Sequence, residues 1–397
     1  MLTAKCNSLI TSAVVLIACL YSCCPPQPVE PEEKFNNVAI LYSCGRNSLS
    51  YALNDDISDM CDISHGSWLP EKGDGNAMIV VSHQPGKTSS GVPSYDIKSK
   101  INVIRLYAGA NRTAVRDTVG TFSEDKVMTD PDVMQEILQF IHDKYVAEHY
   151  GMVLSSHGSG WLPEGYLYNY TLNSFGEERQ MNVRTEMDIR DMATHFPYHM
   201  DYLLFDSCLM GNVETVYELR KCADLIGVSP TEVVMEGFNY KTLAANLLKG
   251  GKDGAEQVCR DYFKQYENSG KYSGATIALI RTDKLDELAE ICRGLFSKYG
   301  SEIASLDISN IQHLFKANPW FFDMEDVVSS AVTNTSDLAP FEFALADCIV
   351  YSANTAYFLG YPIYRCCGLA MFLPQSDRYL GDYYRSLAWN KDTGLIQ

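Results

Sequence analysis

The chain has 397 residues, 46% of them hydrophobic and 21% charged, with a formal net charge of −18. That composition supports one large α/β domain or two ordinary ones and excludes a disordered chain. The excess of 50 acidic over 32 basic residues excludes a nucleic-acid partner, which needs a basic face. It would also suit basic substrates, although solubility alone accounts for it.

The 13 cysteines contain no C-x-x-C pair, so no zinc pattern arises. The doublets Cys23-Cys24 and Cys366-Cys367 are adjacent and cannot readily bridge themselves. The odd count and scattered placement fit buried free thiols better than a disulfide framework.

In chain order, residues 1–22 read as a signal peptide. Lys5 precedes an apolar stretch from Leu9 to Leu20 that is too short for a comfortable membrane span. Leu20-Tyr21-Ser22-Cys23 resembles a bacterial lipobox, with cleavage before Cys23 and a lipid attached to it. Residues 23–35, with "PPQPVEPEEK", then form a solvated tether. The expected location is the cell envelope, with the membrane as partner through the lipid; plain secretion is the alternative.

Residues 36–397 show no linker or repeat and read as one domain. Strands are predicted at 37–44, 76–83 and 101–108. A helix is predicted over 46–61 from Leu49, Leu53, Ile57 and Met60 at helical spacing. Asp130-Pro131 opens a helix running to about 149, with an acidic cap and proline in its first turn. It leads into "YGMVLSSHGSGW", followed by a long loop at 163–182. A helix around 187–196, a strand at 201–208, a helix over 211–223 and strands at 224–230 and 275–280 follow. Beyond 281 the text is mainly helical until the apolar "GLAMFLP". Strands alternating with helices indicate βαβ units and a largely parallel sheet.

Two strands end in reactive side chains, "MVLSSH" in His157 and "YLLFDSC" in Cys208. Ligands of an open parallel sheet gather at the carboxyl ends of its strands, so neighbouring strands would bring imidazole and thiol together. Histidine can take the thiol proton and return it to a leaving amine. A helix starting near Gly211 would favour thiolate through its positive end. Gly158 and Gly160 free the backbone to face an oxyanion. A lone cysteine is more often a buried core thiol, and His142, His149, His195 and His199 sit in ordinary helix or loop text. His157 and Cys208 stand out by their shared context of strand, reactive residue and tight turn.

"SSHGSGW" at 155–161 with "FDSCLMGNVETVYEL" at 205–219 resembles the clostripain family of cysteine peptidases. "VAILYSCGRNSLSYALNDDISDM", "DPDVMQEILQFIHDKYVAEHYGMVLSSHGSGW" and "GLAMFLPQ" extend the resemblance over most of 36–397. It implies a caspase-like fold, a three-layer α/β/α sandwich around a mostly parallel sheet with a helical C-terminal part. It implies endopeptidase cleavage after arginine or lysine by a Cys–His dyad. Cys208 is then the nucleophile, His157 the base and the Gly158 amide part of the oxyanion hole. Asp206 lines the S1 pocket, with Glu236 as the matched second carboxylate and Glu232 a weaker one. The family often has an acid just before the histidine, where this chain has Ser156. Relatives are processed in the region of the 163–182 loop, which points to Arg179. No calcium loop of the D-x-D-x-D-G kind occurs, so no metal or cofactor is expected. The alternative is a catalytically silent surface-binding lipoprotein on the same scaffold. G-x-S-x-G and H-E-x-x-H are both absent, which sets serine and zinc hydrolases far lower.

Overall fold

The computed structural model describes residues 34–164, 166, 175–181 and 183–397. The signal peptide, Cys23 and nearly all of the tether lie outside the described residues. The tether's last residue, Phe35, already belongs to a strand and packs its ring on Tyr145.

Nine strands build one sheet among the described residues: β1 (Phe35–Cys44), β2 (Asn76–His83), β3 (Ile101–Ala108), β4 (Ala114–Phe122), β5 (Ala147–Ser155), β6 (Met200–Asp206), β7 (Ala223–Val228), β8 (Thr276–Arg281) and β9 (Ile349–Asn354). Their order is β9-β8-β7-β6-β5-β1-β2-β3-β4. The central strands β7, β6, β5, β1 and β2 are mutually parallel, and an antiparallel pair closes each edge. The burial follows. β1 is buried at eight of its ten positions, as an apolar run covered on both faces must be. The edge strand β4 keeps no position fully buried.

Side chains alternate across β1 into two separate cores. Ala39 and Leu41 pack with α1 (Ser50–Met60) and α5 (Tyr240–Tyr266). Val38, Ile40, Tyr42 and Cys44 pack with α2 (Pro131–Lys144), α3 (Ile189–Thr194), α4 (Val213–Leu219) and the C-terminal α6 (Leu285–Ala304), α7 (Met324–Ala331) and α8 (Thr335–Cys348). The result is the expected three-layer sandwich. The strands at 76–83 and 101–108 stand where the sequence puts them.

Three expectations are corrected. The helix opened by Asp130 ends at Lys144, not near 149: the Tyr150 hydroxyl donates to Tyr145 O at 2.7 Å and accepts the Ala147 N–H at 2.8 Å, so the chain turns there into β5. The 163–182 stretch is not one loop, because strands Phe175–Gln180 and Val183–Met187 pair as a hairpin. Arg179 lies in that hairpin, its N–H donating to Arg46 O at 2.9 Å and its guanidinium paired with Glu177. Strands β4 and β9 carry no clear alternation and escape detection; β9 interrupts a segment read as helical.

Candidate active site

β5 and β6 are neighbours in parallel register, with Ser155 opposite Asp206. Two residues beyond that pair, the chains carry His157 and Cys208. Both line one cavity of about 260 Å³ together with Asp56, Asp206, Glu232 and Val233. The two turns also touch: a Cβ on Gly158 would lie 2.7 Å from Cys208 O and 3.0 Å from Ser207 Cβ. Glycine at 158 therefore lets the histidine turn pass against the cysteine turn.

Cys208 sits on a tense elbow. Leu209 adopts φ +59, a left-handed value that costs a side-chain-bearing residue on the order of 1 kcal/mol. Three contacts hold it there. Leu209 N–H donates to Thr231 O at 2.8 Å, Asn212 Nδ2 donates to Leu209 O at 2.7 Å, and Asn212 Oδ1 caps α4 by accepting the Thr215 N–H at 2.9 Å. The C-terminal "GLAMFLP" segment braces the elbow from outside, with Ala370 N–H to Gly211 O at 2.8 Å and Phe372 N–H to Glu214 Oε1 at 2.9 Å.

The sulfur accepts the Val233 N–H at 3.2 Å and lies 3.6 Å from Val233 O. Burial pushes the thiol up to about 12, helped by the nearby Glu232 and Asp206 charges and only partly opposed by the Val233 backbone. α4 begins five residues beyond the sulfur, at Val213, and the side chain of Asn212 already takes up its Thr215 N–H. His157 is 8% exposed. Burial holds its imidazole below the ordinary value, against a smaller opposing effect of Glu177. Both shifts favour the neutral thiol and the neutral imidazole at neutral pH.

His157 Nε2 is 2.9 Å from Ser48 Oγ, on the turn after β1. Ser156 points elsewhere: its hydroxyl donates to Cys44 O at 2.9 Å and accepts from Asn47 Nδ2 at 3.1 Å. The family's acidic position is here a tie between strand ends.

Asp206 is buried under the cavity, its Oδ2 accepting from Tyr240 Oη at 2.7 Å and from the Phe238 N–H at 3.2 Å. Burial still raises its carboxyl to about 6. The matched candidate Glu236 is exposed and does not line the cavity, whereas Glu232, the weaker one, does. Gly237 is the reason. It turns at φ +56 with its N–H on Val234 O and lies so close to Asp206 that a Cβ would meet Oδ2 at 2.3 Å. The residue before it is directed outward.

Sequence reasoning missed Ser48 and Asp56. Nothing in the text marks Ser48. Asp56 had a signal: it lies seven residues after Leu49 and three after Leu53, on the helical stripe read as core.

The family model described as the clostripain family matches residues 41–392. A curated relative, clostripain of Hathewaya histolytica, is 24% identical over 242 residues, covering 55% of this chain and 44% of the relative. The chain thus spans less than half the length of that relative. Among solved structures, an inactive zymogen C11 protease from Parabacteroides distasonis superposes with a TM-score of 0.76 at 25% identity, over 91% of this chain and 98% of that one. A secreted C11 cysteine protease from Bacteroides thetaiotaomicron, solved with an irreversible peptide inhibitor, gives 0.76 at 22% identity over 91% and 100%, a likeness of fold. The match spans both candidate catalytic residues and nearly all of the described fold: this chain belongs to the clostripain family of cysteine peptidases.

Proposed function

We propose that the protein is a cysteine endopeptidase that cleaves proteins or peptides after arginine or lysine. One observation carries the specificity. The cavity at Cys208 is lined by three carboxylates, Asp56, Asp206 and Glu232, and, among the described residues, by no lysine or arginine. All three are raised above the usual carboxylate range, chiefly by burial. Lys316 acts on Glu232 from outside the cavity lining, whereas burying Asp56 and Asp206 without a cation is costly, and a basic P1 side chain offsets that cost.

The chemistry follows from neutral starting states. As the sulfur attacks the peptide carbonyl carbon, its proton passes to His157. The developing oxyanion is met by the Gly158 N–H. The imidazolium then protonates the leaving amine, and water hydrolyses the thioester with His157 again as base. Support for this dyad is the shared cavity and the parallel register that ends both strands together. An arriving P1 cation beside Asp206 also weakens one of the effects that hold the thiol protonated.

Ser48 orients the base. Ser48 Oγ lies 2.9 Å from Nε2, where it can accept from Nε2–H; that tautomer leaves the lone pair on Nδ1 for the thiol proton. Ser48→Ala is expected to lower kcat about three- to tenfold with KM little changed, and Ser48→Thr to restore it. Equal rates in all three forms would remove this role.

A positional-scanning peptide library tests the function. Cleavage confined to arginine and lysine at P1, absent in Cys208→Ala, is the expected result. Cleavage indifferent to P1, or retained in the variant, overturns it.

The amino-terminal reading belongs with this proposal: export, lipid attachment at Cys23 and a tethered peptidase domain at the cell envelope. Its support is the lipobox-like Leu20–Cys23 and a relative described as secreted. Metabolic labelling with a radioactive fatty acid, lost in Cys23→Ala, checks it; an unlabelled wild type rejects it.

A further inference from the structure

The dyad and Asp206 leave one feature of the cavity unused. Helical periodicity turns Leu49, Ala52, Leu53 and Asp56 of the first turns and α1 toward the same space. Its neighbours Asp55 and Asp59 are exposed, the ordinary place for helix acids, but Asp56 is half-buried. Among the described residues no side chain or backbone group hydrogen-bonds or ion-pairs with the Asp56 carboxylate. Asp206, in contrast, is anchored by Tyr240 and Phe238.

Two cations reach the elements around Asp56 and are engaged elsewhere: Arg116 of β4 donates to Ile57 O at 3.5 Å and to Ser58 Oγ at 3.2 Å, and Lys241 of α5 lies 3.9 Å from Asp62. Asp206 faces it from β6, and Asp55 and Asp59 flank it on α1. Tyr240 and Tyr266, at the two ends of α5, feel its charge. Burial first, then Asp206, raise the Asp56 carboxyl to about 9. The fold retains an acid with no protein partner among the described residues, on the wall of the cavity that holds the nucleophile.

We propose that Asp56 is a specificity-determining residue, the second carboxylate that, with Asp206, grips the cationic end of a P1 arginine or lysine. This rests on the P1 reading above and assigns its second acid to α1 rather than to Glu236. The two carboxylates divide the work. Asp206 is a fixed wall, whereas Asp56 gives up its proton to solvent as the cation arrives and then pairs with it. The ion pair forms with one proton released and no other bond changed.

Asp56→Asn tests this, because the amide keeps the shape and cannot ionise to pair with the arriving cation. Matched peptides with arginine or its uncharged analogue citrulline at P1 provide the readout. In the variant, the arginine-to-citrulline ratio of kcat/KM is expected to fall about 10- to 100-fold, mostly through KM. An unchanged ratio, in a variant that still depends on Cys208, overturns the assignment while leaving the P1 reading intact. A wild type with no preference for arginine over citrulline overturns the P1 reading itself. Should Asp56→Asn not fold, calorimetry on Cys208→Ala decides. Binding of the P1 arginine peptide, compared in two buffers of different ionisation enthalpy, should release roughly one proton near neutral pH; no release sinks the proposal.

Discussion

Cys208→Ala is expected to reduce kcat/KM on a P1 arginine peptide by at least ~10⁴-fold, since members of a covalent catalytic unit are not replaceable by the rest of the site. The fold should survive. The side chain lost is small, and the elbow is held by Leu209, Asn212 and Gly211 through their own backbone and amide bonds. Circular dichroism and Tm distinguish loss of chemistry from loss of structure. An active Cys208→Ala protein would end the nucleophile assignment. The pH profile adds a second check. Burial holds His157 below its ordinary value, so the base stays unprotonated into mildly acidic solution. With a P1 citrulline peptide, the acid limb should therefore lie below about 6.5. An acid limb above that value would show that another group sets it.

Asp206→Asn is expected to cost roughly 10²-fold in kcat/KM on P1 arginine and lysine peptides, with a much smaller loss on a neutral P1 peptide. The sign with pH follows from the raised carboxyl. In the wild type Asp206 is charged above about 6 and protonated below it, so cation binding is present above that pH and lost as pH falls through it. That limb should disappear in the variant. Stability runs the other way. A carboxyl raised on folding from about 4 to about 6 disfavours the native state increasingly as pH rises between those values, up to a plateau. The amide oxygen can still accept from Tyr240 and Phe238. The Tm of Asp206→Asn at pH 7.5 should therefore equal or exceed that of the wild type. A variant that melts earlier and loses neutral and basic substrates alike would mean that Asp206 serves the fold rather than the pocket.

The two aspartates differ in how they could be found. Asp206 precedes Cys208 by two positions on one strand, so alternation puts both side chains on the same side, and one line of text suffices to pair them. Asp56 is 150 residues upstream on another layer. Only the packing of α1 with α5 on one face of the sheet brings it to the same cavity. Glu236 fails for a local reason. A glycine with positive φ inverts the chain at 237, and no pattern of residue types reveals which way the preceding side chain will face.

By itself, the sequence determined the parallel core and the ends of its reactive strands. Long apolar runs are forced into the middle of a sheet covered on both faces, and a glycine-rich turn after each run leaves His157 and Cys208 at the rim. Tertiary structure alone decided the ionisation of the site and its full acid complement. The height of the thiol's pKa, the neutrality of the imidazole, the Ser48 contact and the convergence of Asp56 with Asp206 all depend on which surfaces exclude water together. Desolvation and charge coupling act through space, between groups whose separation along the chain carries no trace of their nearness.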